Sequence, residues 1–349
     1  MWVGYRIRKR RKRVLVRKKV LVLLCLTLIA GGALVPPIQG VRGEELKIAG
    51  QFGLVYAPLM VAKARGIFER YGIKPVWKEY GSGGAVREAL ISGEVDVGFM
   101  GIPPFLIGWD KGCDWKIACG FVIIPIGLVT NDPNIKSLKD FKPEDKIAVP
   151  SPGSVQHILL AMAAEKELGS PTALDNNIVA MAHPDGAAAL ISKKGIKAHF
   201  TTPPYLFEEL SQPGCHLVID DVAIFGHPFN FNVGVTTQRF YDRRPVVYSC
   251  FVNAIGEAMA WINNNKEAAA ELLAPEFGLT PERTLAYLNW EGMNYTSAPY
   301  GLMGFGEFMA RAGYIKRAPA SLAEIAFDNV LAIVGSRAGG LSEIERIQY

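Results

Sequence analysis

Residues 89–105 read ALISGEVDVGFMGIPPF, and residues 189–205 read ALISKKGIKAHFTTPPY. Ala-Leu-Ile-Ser recurs at an offset of 100, and so does Pro-Pro followed by an aromatic residue and Leu. Upstream, Lys47-Ile48-Ala49 and Lys146-Ile147-Ala148 agree at an offset of 99. Each unit reads as a strand, a loop, a helix, a helix ending in ALIS, a second strand and a Pro-Pro loop. Doubling of that kind predicts two similar α/β lobes facing each other across a cleft.

Around this repeat, 349 residues allow two or three domains. An apolar share of 50% and a charged share of 20% fit a globular chain with a sizeable core. The net charge of +5 misleads, because 11 of the 38 basic residues and none of the 33 acidic ones precede position 44. Residues 44–349 carry 27 basic against 33 acidic residues, a net −6, and have no nucleic-acid-binding character. The basic run Arg6–Lys19, the 16-residue apolar run Val20–Val35 and the small residues Gly40 and Gly43 have the order of a secretory signal. Residues 1–43 are therefore expected to be a signal peptide, and the protein to be exported. A spanning helix would want about 20 apolar residues, so a retained anchor is the weaker alternative.

Export permits disulfides among Cys113, Cys119, Cys215 and Cys250. Four cysteines allow three pairings, which the sequence does not choose between, and buried thiols serve equally well. Cys113 and Cys119 are near enough to bridge a local turn. No spacing of Cys and His suggests a metal site, and no cofactor is expected.

Two Gly/Ser loops lead into helices. Gly81-Ser82-Gly83-Gly84 precedes a helix from Ala85 to Ile91, and Pro150-Ser151-Pro152-Gly153-Ser154 precedes one from Val155 to Leu168. Unpaired N–H groups at such starts, reinforced by the helix dipole, attract anions without a cation. Ser82, Gly83, Gly84, Ser151, Gly153 and Ser154 are thus candidate donors from both lobes, and His157 lies one turn further on. Phe52, Tyr56, Phe105 and Tyr205 are candidate walls, Tyr56 and Tyr205 the better ones because a hydroxyl favours a wet edge. His183 has a weaker case, since His-Pro-Asp-Gly is a good turn in its own right. No strong cationic anchor is evident, Arg87 being placed on a helix that can point it to solvent.

The remaining chain continues the pattern. Leu59–Arg70 has helical spacing, Phe121–Val129 reads as a buried strand broken by Pro125 and Gly127, and Gly101–Pro104 reads as a turn. Crossings between lobes are expected at 130–133 and around 225–233. From Tyr248 onward the chain reads as mostly helical.

The run QFGLVYAPLMVAKARGIFERYGIKPVWKEYGSGGAVREALISGEVDVGFMGIPPF, followed by KIAVPSPGSVQH, ALISKKGIKAHFTTPPY and FVNAIGEAMAWI, resembles solute-binding proteins of ABC importers. The group concerned serves nitrate, taurine and alkanesulfonates and has pyrimidine-precursor-binding relatives. The resemblance covers residues 46 to about 330. It implies a bilobal periplasmic-binding-protein type II fold, two α/β lobes joined by a two-crossing hinge, with a helical C-terminal part. Lobe 1 would be 44–132 plus 232–349, and lobe 2 would be 133–231. It implies closure on a small ligand and docking of a monomer on permease subunits in the cytoplasmic membrane. The loops it carries over are Gln51–Tyr56 (with Gln51, Phe52 and Tyr56), Ser82–Gly84, Gly101-Ile102-Pro103, Ser151–His157, and Thr201–Tyr205 (with Thr201, Thr202 and Tyr205).

Related folds include cofactor-biosynthesis enzymes, but no Ser/His/Asp order, nucleotide loop or paired carboxylates can be defended here. The expected function is capture of a small anionic solute, an alkanesulfonate, taurine or nitrate, outside the cytoplasmic membrane. The alternatives are the same role for a heteroaromatic pyrimidine-type nutrient, or a cofactor-biosynthesis enzyme or a membrane-anchored sensor on the same fold.

Overall fold

The computed structural model describes residues 43–338. Expectations for residues 1–42, which hold nearly all of the signal segment, lie outside the described residues.

Among the described residues eleven strands form two sheets: β1 (Glu44–Gly50), β2 (Ile73–Glu79), β3 (Val97–Gly101), β4 (Trp115–Ile123), β5 (Gly127–Thr130), β6 (Ile147–Val149), β7 (Ile178–Ala180), β8 (Ala198–Thr201), β9 (His216–Asp220), β10 (Asn232–Thr237) and β11 (Asn294–Tyr295). The first sheet runs β11-β4-β10-β3-β1-β2 and the second β7-β6-β8-β5-β9. In each, a central strand is parallel to two neighbours: β1 to β2 and β3, β6 to β7 and β8. Next to β3 lies antiparallel β10, and next to β8 lies antiparallel β5. These two strands exchange lobes. The chain leaves β4 of the first sheet to enter the second as β5, and leaves β9 of the second to return as β10. The repeat in the sequence is thus a repeat in topology, and the molecule is a bilobal α/β protein with the strand order of the type II periplasmic-binding-protein fold.

The first sheet exchange falls at Ile124–Ile126, upstream of the expected crossing at 130–133. Pro125 supplies the reason: it has no N–H for a ladder and ends the β4 pairing. What reads as one interrupted strand over 121–129 is two strands of different sheets. The return runs through 226–231, after the helix Asp221–Phe225. A reciprocal pair ties the end of the first crossing to the helix that precedes the return: Ile126 N donates to Asp221 Oδ1 at 3.0 Å, and Asp221 N donates to Ile126 O at 3.0 Å.

Parallel strands covered on both faces are apolar throughout, and β3 (VGFMG) is buried at every residue. Its glycines admit close neighbours: a Cβ on Gly98 would meet Val86 at 2.7 Å, so the helix Gly83–Ile91 lies directly on the strand. The expected helix over Leu59–Arg70 is two helices, Ala57–Ala64 and Ile67–Arg70, separated at Gly66 with φ +57°. Gly101–Pro104 is a helix start and not a turn. Pro103 and Pro104 sit in the first turn of Ile102–Asp110, where a missing N–H costs nothing.

Beyond β10 the described chain is helical apart from β11, and its longest helix is Pro245–Asn264. Its Phe251 packs on Phe68 and Phe99, and Phe99 on Phe121 with ring centroids 4.3 Å apart, which forms the core under the first sheet. Cys113, Cys119 and Cys215 carry thiols, so the local Cys113–Cys119 bridge is not formed. Cys119 lies fully buried on β4 against Gly234, and burial pushes its thiol up to about 12.

Candidate functional site

The C-terminal edges of both sheets meet at one cleft, the position where open α/β sheets bind ligands. It is narrow and partly open to solvent. Lobe 1 lines it with Gln51, Phe52, Val55, Tyr56, Gly81, Gly83, Gly101, Pro104 and Asn232. From lobe 2 come Pro150, Ser154, Val155, Gln156, His183 and Thr202, and from the return crossing Phe231.

Helices beginning at Gly83, Ile102, Val155 and His183 all have first-turn or capping residues on this cleft. Ser82 Oγ accepts from Ala85 N and Ser154 Oγ from His157 N, both at 3.2 Å. Each cap satisfies the third helical N–H, and the hydrogen-bond pattern assigns no protein acceptor to the N–H groups before it at Gly83, Gly84, Val155 and Gln156. No lining residue is Lys, Arg, Asp or Glu. Arg87 is engaged with its neighbour Glu88 at 2.8 Å. Charge complementarity for an anion therefore comes from helix starts.

On the lobe 1 side, Tyr56 Oη accepts from Gln51 Nε2 (2.5 Å) and from Asn232 Nδ2 (2.6 Å). Burial pushes the phenol far above its ordinary value, so it keeps its proton. With both amides donating, that proton is available to a guest. Tyr295, through a 2.7 Å bond from its hydroxyl to Leu54 O, fixes the loop that carries Tyr56.

On the lobe 2 side, the cleft opens onto a buried chain. Gln156 Nε2 lies 2.9 Å from His183 Nε2, His183 Nδ1 lies 3.0 Å from His199 Nε2, and His199 Nδ1 lies 2.6 Å from Glu209 Oε1. Burial holds both imidazoles below their usual range and Glu209 well above the usual carboxylate range. Tyr205 stacks on His183, with centroids 6.0 Å apart and planes at 18°.

Of the residues singled out from sequence, Gln51, Phe52, Tyr56, Gly83, Gly101, Ser154 and Thr202 lie together on the cleft. Others stand close behind it. Ser82 is the helix cap, and Gly84 faces Ser151 across the lobe boundary, where an added Cβ would come within 3.3 Å of the Ser151 hydroxyl. That hydroxyl and the one on Thr202 are buried without a protein partner. Ile102 and Pro103 are buried in their helix start, and Tyr205 backs His183. Thr201 points at Glu209, without a hydrogen bond of good geometry to it.

His157 is turned away from the cleft. Gly153, at φ +75°, donates its N–H to His157 Nδ1 (2.8 Å), Asp175 faces Nε2 at 3.4 Å, and Tyr314 meets the ring edge-on. The ring therefore shapes the 151–154 loop and contacts lobe 1. Phe105 is core, packed on Trp115. Sequence reading missed Phe231 and Asn232, held Gln156 only as part of the loop Ser151–His157, and undervalued His183. For His183 the signal existed, because it is the repeat mate of Gly83 at the offset of 100.

The geometry defines a two-lobed protein with a small, uncharged interlobe cleft of type II periplasmic-binding-protein design. The chain belongs to the NMT1-like family, whose sequence pattern matches residues 42–274. It is 26% identical over 269 residues to a Bacillus subtilis (strain 168) protein named, provisionally, as an aliphatic sulfonates-binding protein, covering 73% of this chain and 77% of that one. The alkanesulfonate-binding protein of Xanthomonas axonopodis pv. citri bound to MOPS superposes with a TM-score of 0.65 at 19% identity, over 82% of this chain and 99% of that one. The periplasmic nitrate-binding protein of Synechocystis PCC 6803 gives 0.67 at 17%, over 87% and 91%. These likenesses establish the fold.

Proposed function

We propose that this protein is the extracytoplasmic solute-binding component of an ABC importer. It captures a small anion between its lobes and hands it to the permease. The observation that carries this reading is the convergence of helix starts from both lobes on a cleft without a lysine or arginine. Such a site stabilises a delocalised oxyanion through backbone N–H groups and hydroxyls. The relatives named for sulfonates and nitrate support the same class of guest.

An alkanesulfonate suits the cleft better than nitrate does. Phe52, Phe231, Pro104 and Pro150 supply apolar wall beside the polar end, which an organic tail would cover and nitrate would leave empty. Neither a nucleophile paired with a base nor a carboxylate pair lines the cleft.

Titration calorimetry on residues 44–349 with methanesulfonate, taurine, butanesulfonate, nitrate and bicarbonate tests this reading. Saturable binding of at least one sulfonate, tighter for the longer chain, is the expected result. Heat from none of the five would overturn it.

A further inference from the structure

The chain Gln156–His183–His199–Glu209 runs from the cleft surface to a fully buried carboxyl. Nothing in the capture of an anion by helix starts requires it. Two imidazoles and a carboxyl in series, each at hydrogen-bonding distance, can be oriented in only two ways.

With one proton shared between Glu209 and His199, Nε2–H of His199 donates to His183 Nδ1, and Nε2–H of His183 donates outward. Gln156 must then turn its amide oxygen to His183 and its NH₂ group to the cleft. When that shared proton is lost, Glu209 accepts from His199 Nδ1–H and every bond reverses. His183 Nδ1–H then donates to His199, Gln156 donates to His183, and the amide oxygen faces the cleft. Either orientation satisfies the same distances, because amide and imidazole ends are interchangeable in outline.

We propose that the buried Glu209–His199 pair stores one proton and that, relayed by His183, this proton sets Gln156 as a donor to the captured anion. Glu209, His199 and His183 are positioning residues in this scheme, and only Gln156 and the outer edge of His183 face the guest. The inference rests on the reading that the guest is an anion. It adds that capture and protonation are linked: an anion holds the proton on the pair, and discharging the pair turns a carbonyl oxygen toward the anion.

Other groups around the relay leave the pair as its proton store. Tyr205 stacks on His183, and burial, Glu79 and Asp185 push its phenol up to about 12. The Cys215 thiol is raised by burial and by Glu209, with Lys193 opposing. On the Gln156 helix, His157 is engaged with Gly153 and Asp175. Glu208, adjacent to Glu209, is bound to Arg283 and Tyr287.

The sign is set by linkage. Because anion-bound protein holds the proton more tightly, affinity is full at acid pH and falls as pH rises through the pair's titration. The limiting loss is about tenfold per pH unit, the slope for one proton. Methanesulfonate binding measured against pH should show that limb in the wild type. In Glu209→Gln the limb should vanish, since the side-chain amide does not titrate and the pair can no longer store or lose a proton.

A second readout needs no guest and no variant. In histidine-selective ¹⁵N-labelled wild-type protein, both His183 and His199 should move their N–H from Nε2 to Nδ1 in a single titration. A Glu209→Gln protein that keeps the pH limb, or rings that hold one tautomer throughout, overturns the proposal. Absence of methanesulfonate binding at every pH would instead strike the functional reading, while the nitrogen titration still decides the relay.

Discussion

Tyr56 concentrates the logic of the lobe 1 wall in a single hydroxyl. It accepts from two amides on different elements, Gln51 at the end of β1 and Asn232 at the start of β10. Tyr56→Phe leaves both amides facing an edge of carbon. The cost should be about 1–3 kcal/mol of stability, seen as a lower Tm, with anion affinity reduced severalfold by calorimetry. Unchanged affinity would show that the hydroxyl does not serve the guest. Gly84→Asp makes a different point. Its carboxylate lies in the first turn of a helix, where it is tolerated or favoured, yet its Cβ comes against Ser151 of the other lobe. The ligand-free Tm should be kept and binding lost, whereas normal binding would show that the lobes do not close at Ser151.

At the scale of elements, the paired crossings carry the hinge. Asp221 joins the start of its helix to Ile126, and burial raises its carboxyl to about 6. A buried acid whose folded value lies above its unfolded one binds more protons when folded. Stability therefore declines as pH rises from about 4 to about 6 and is lower on the alkaline side. Asp221→Asn keeps an acceptor for Ile126 N–H and should flatten that decline in melting curves taken across the window. An unaltered slope would place the titrating group elsewhere. The elements also show what a sequence hides. The ALIS and Pro-Pro repeats announce the doubled unit, and the periodicity of the Gly83–Ile91 and Val155–Leu168 helices is plain. Pro125 is visible as a break, but whether a break ends a strand or moves it to another sheet is decided by pairing partners remote in the chain. Pro103 and Pro104 look like a turn for a similar reason, because proline suits a turn and a first helical turn equally well.

Across the whole molecule, the lobes are held face to face away from the cleft as well as at it. Glu208 on the helix Tyr205–Leu210 of lobe 2 accepts from Arg283 Nη2 (2.8 Å) and from the Tyr287 hydroxyl (2.6 Å) on the helix Pro281–Leu288. Phe207 stacks on Trp290, with centroids 4.1 Å apart, and meets the tilted ring of Tyr287 at 4.7 Å. Tyr287→Phe removes a hydrogen bond to a charged but partly exposed group, worth about 1 kcal/mol, or roughly fivefold in Kd. Fluorescence transfer between labels on the two lobes should report a smaller closed fraction in that variant, and an equal fraction would make the contact incidental.

The same scale explains what of the site was legible. Gly/Ser loops before helices are local signals, and Gly83 and Ser154 are found from them. Asn232 and Phe231 reach the cleft only because β10 returns from the other lobe. Gln156 and His183 matter through partners 27 and 16 residues apart in sequence, Gln156 to His183 and His183 to His199. Of His157 and His183, His183 has the weaker case in the sequence, because His-Pro-Asp-Gly is a good turn in its own right. Burial and a hydrogen-bond chain separate them, and neither has a local signature.

The proposed binding mode places an anion between the lobes at the helix starts, without a cation. Diffraction from crystals grown with 2-bromoethanesulfonate tests it most directly, because bromine marks the guest by its anomalous signal. One strong peak is expected in the cleft, beside the apolar wall of Phe52 and Phe231, with the sulfonate oxygens on the N–H groups of Gly83 and Gln156. A peak elsewhere on the surface, or none with the protein saturated, would contradict it.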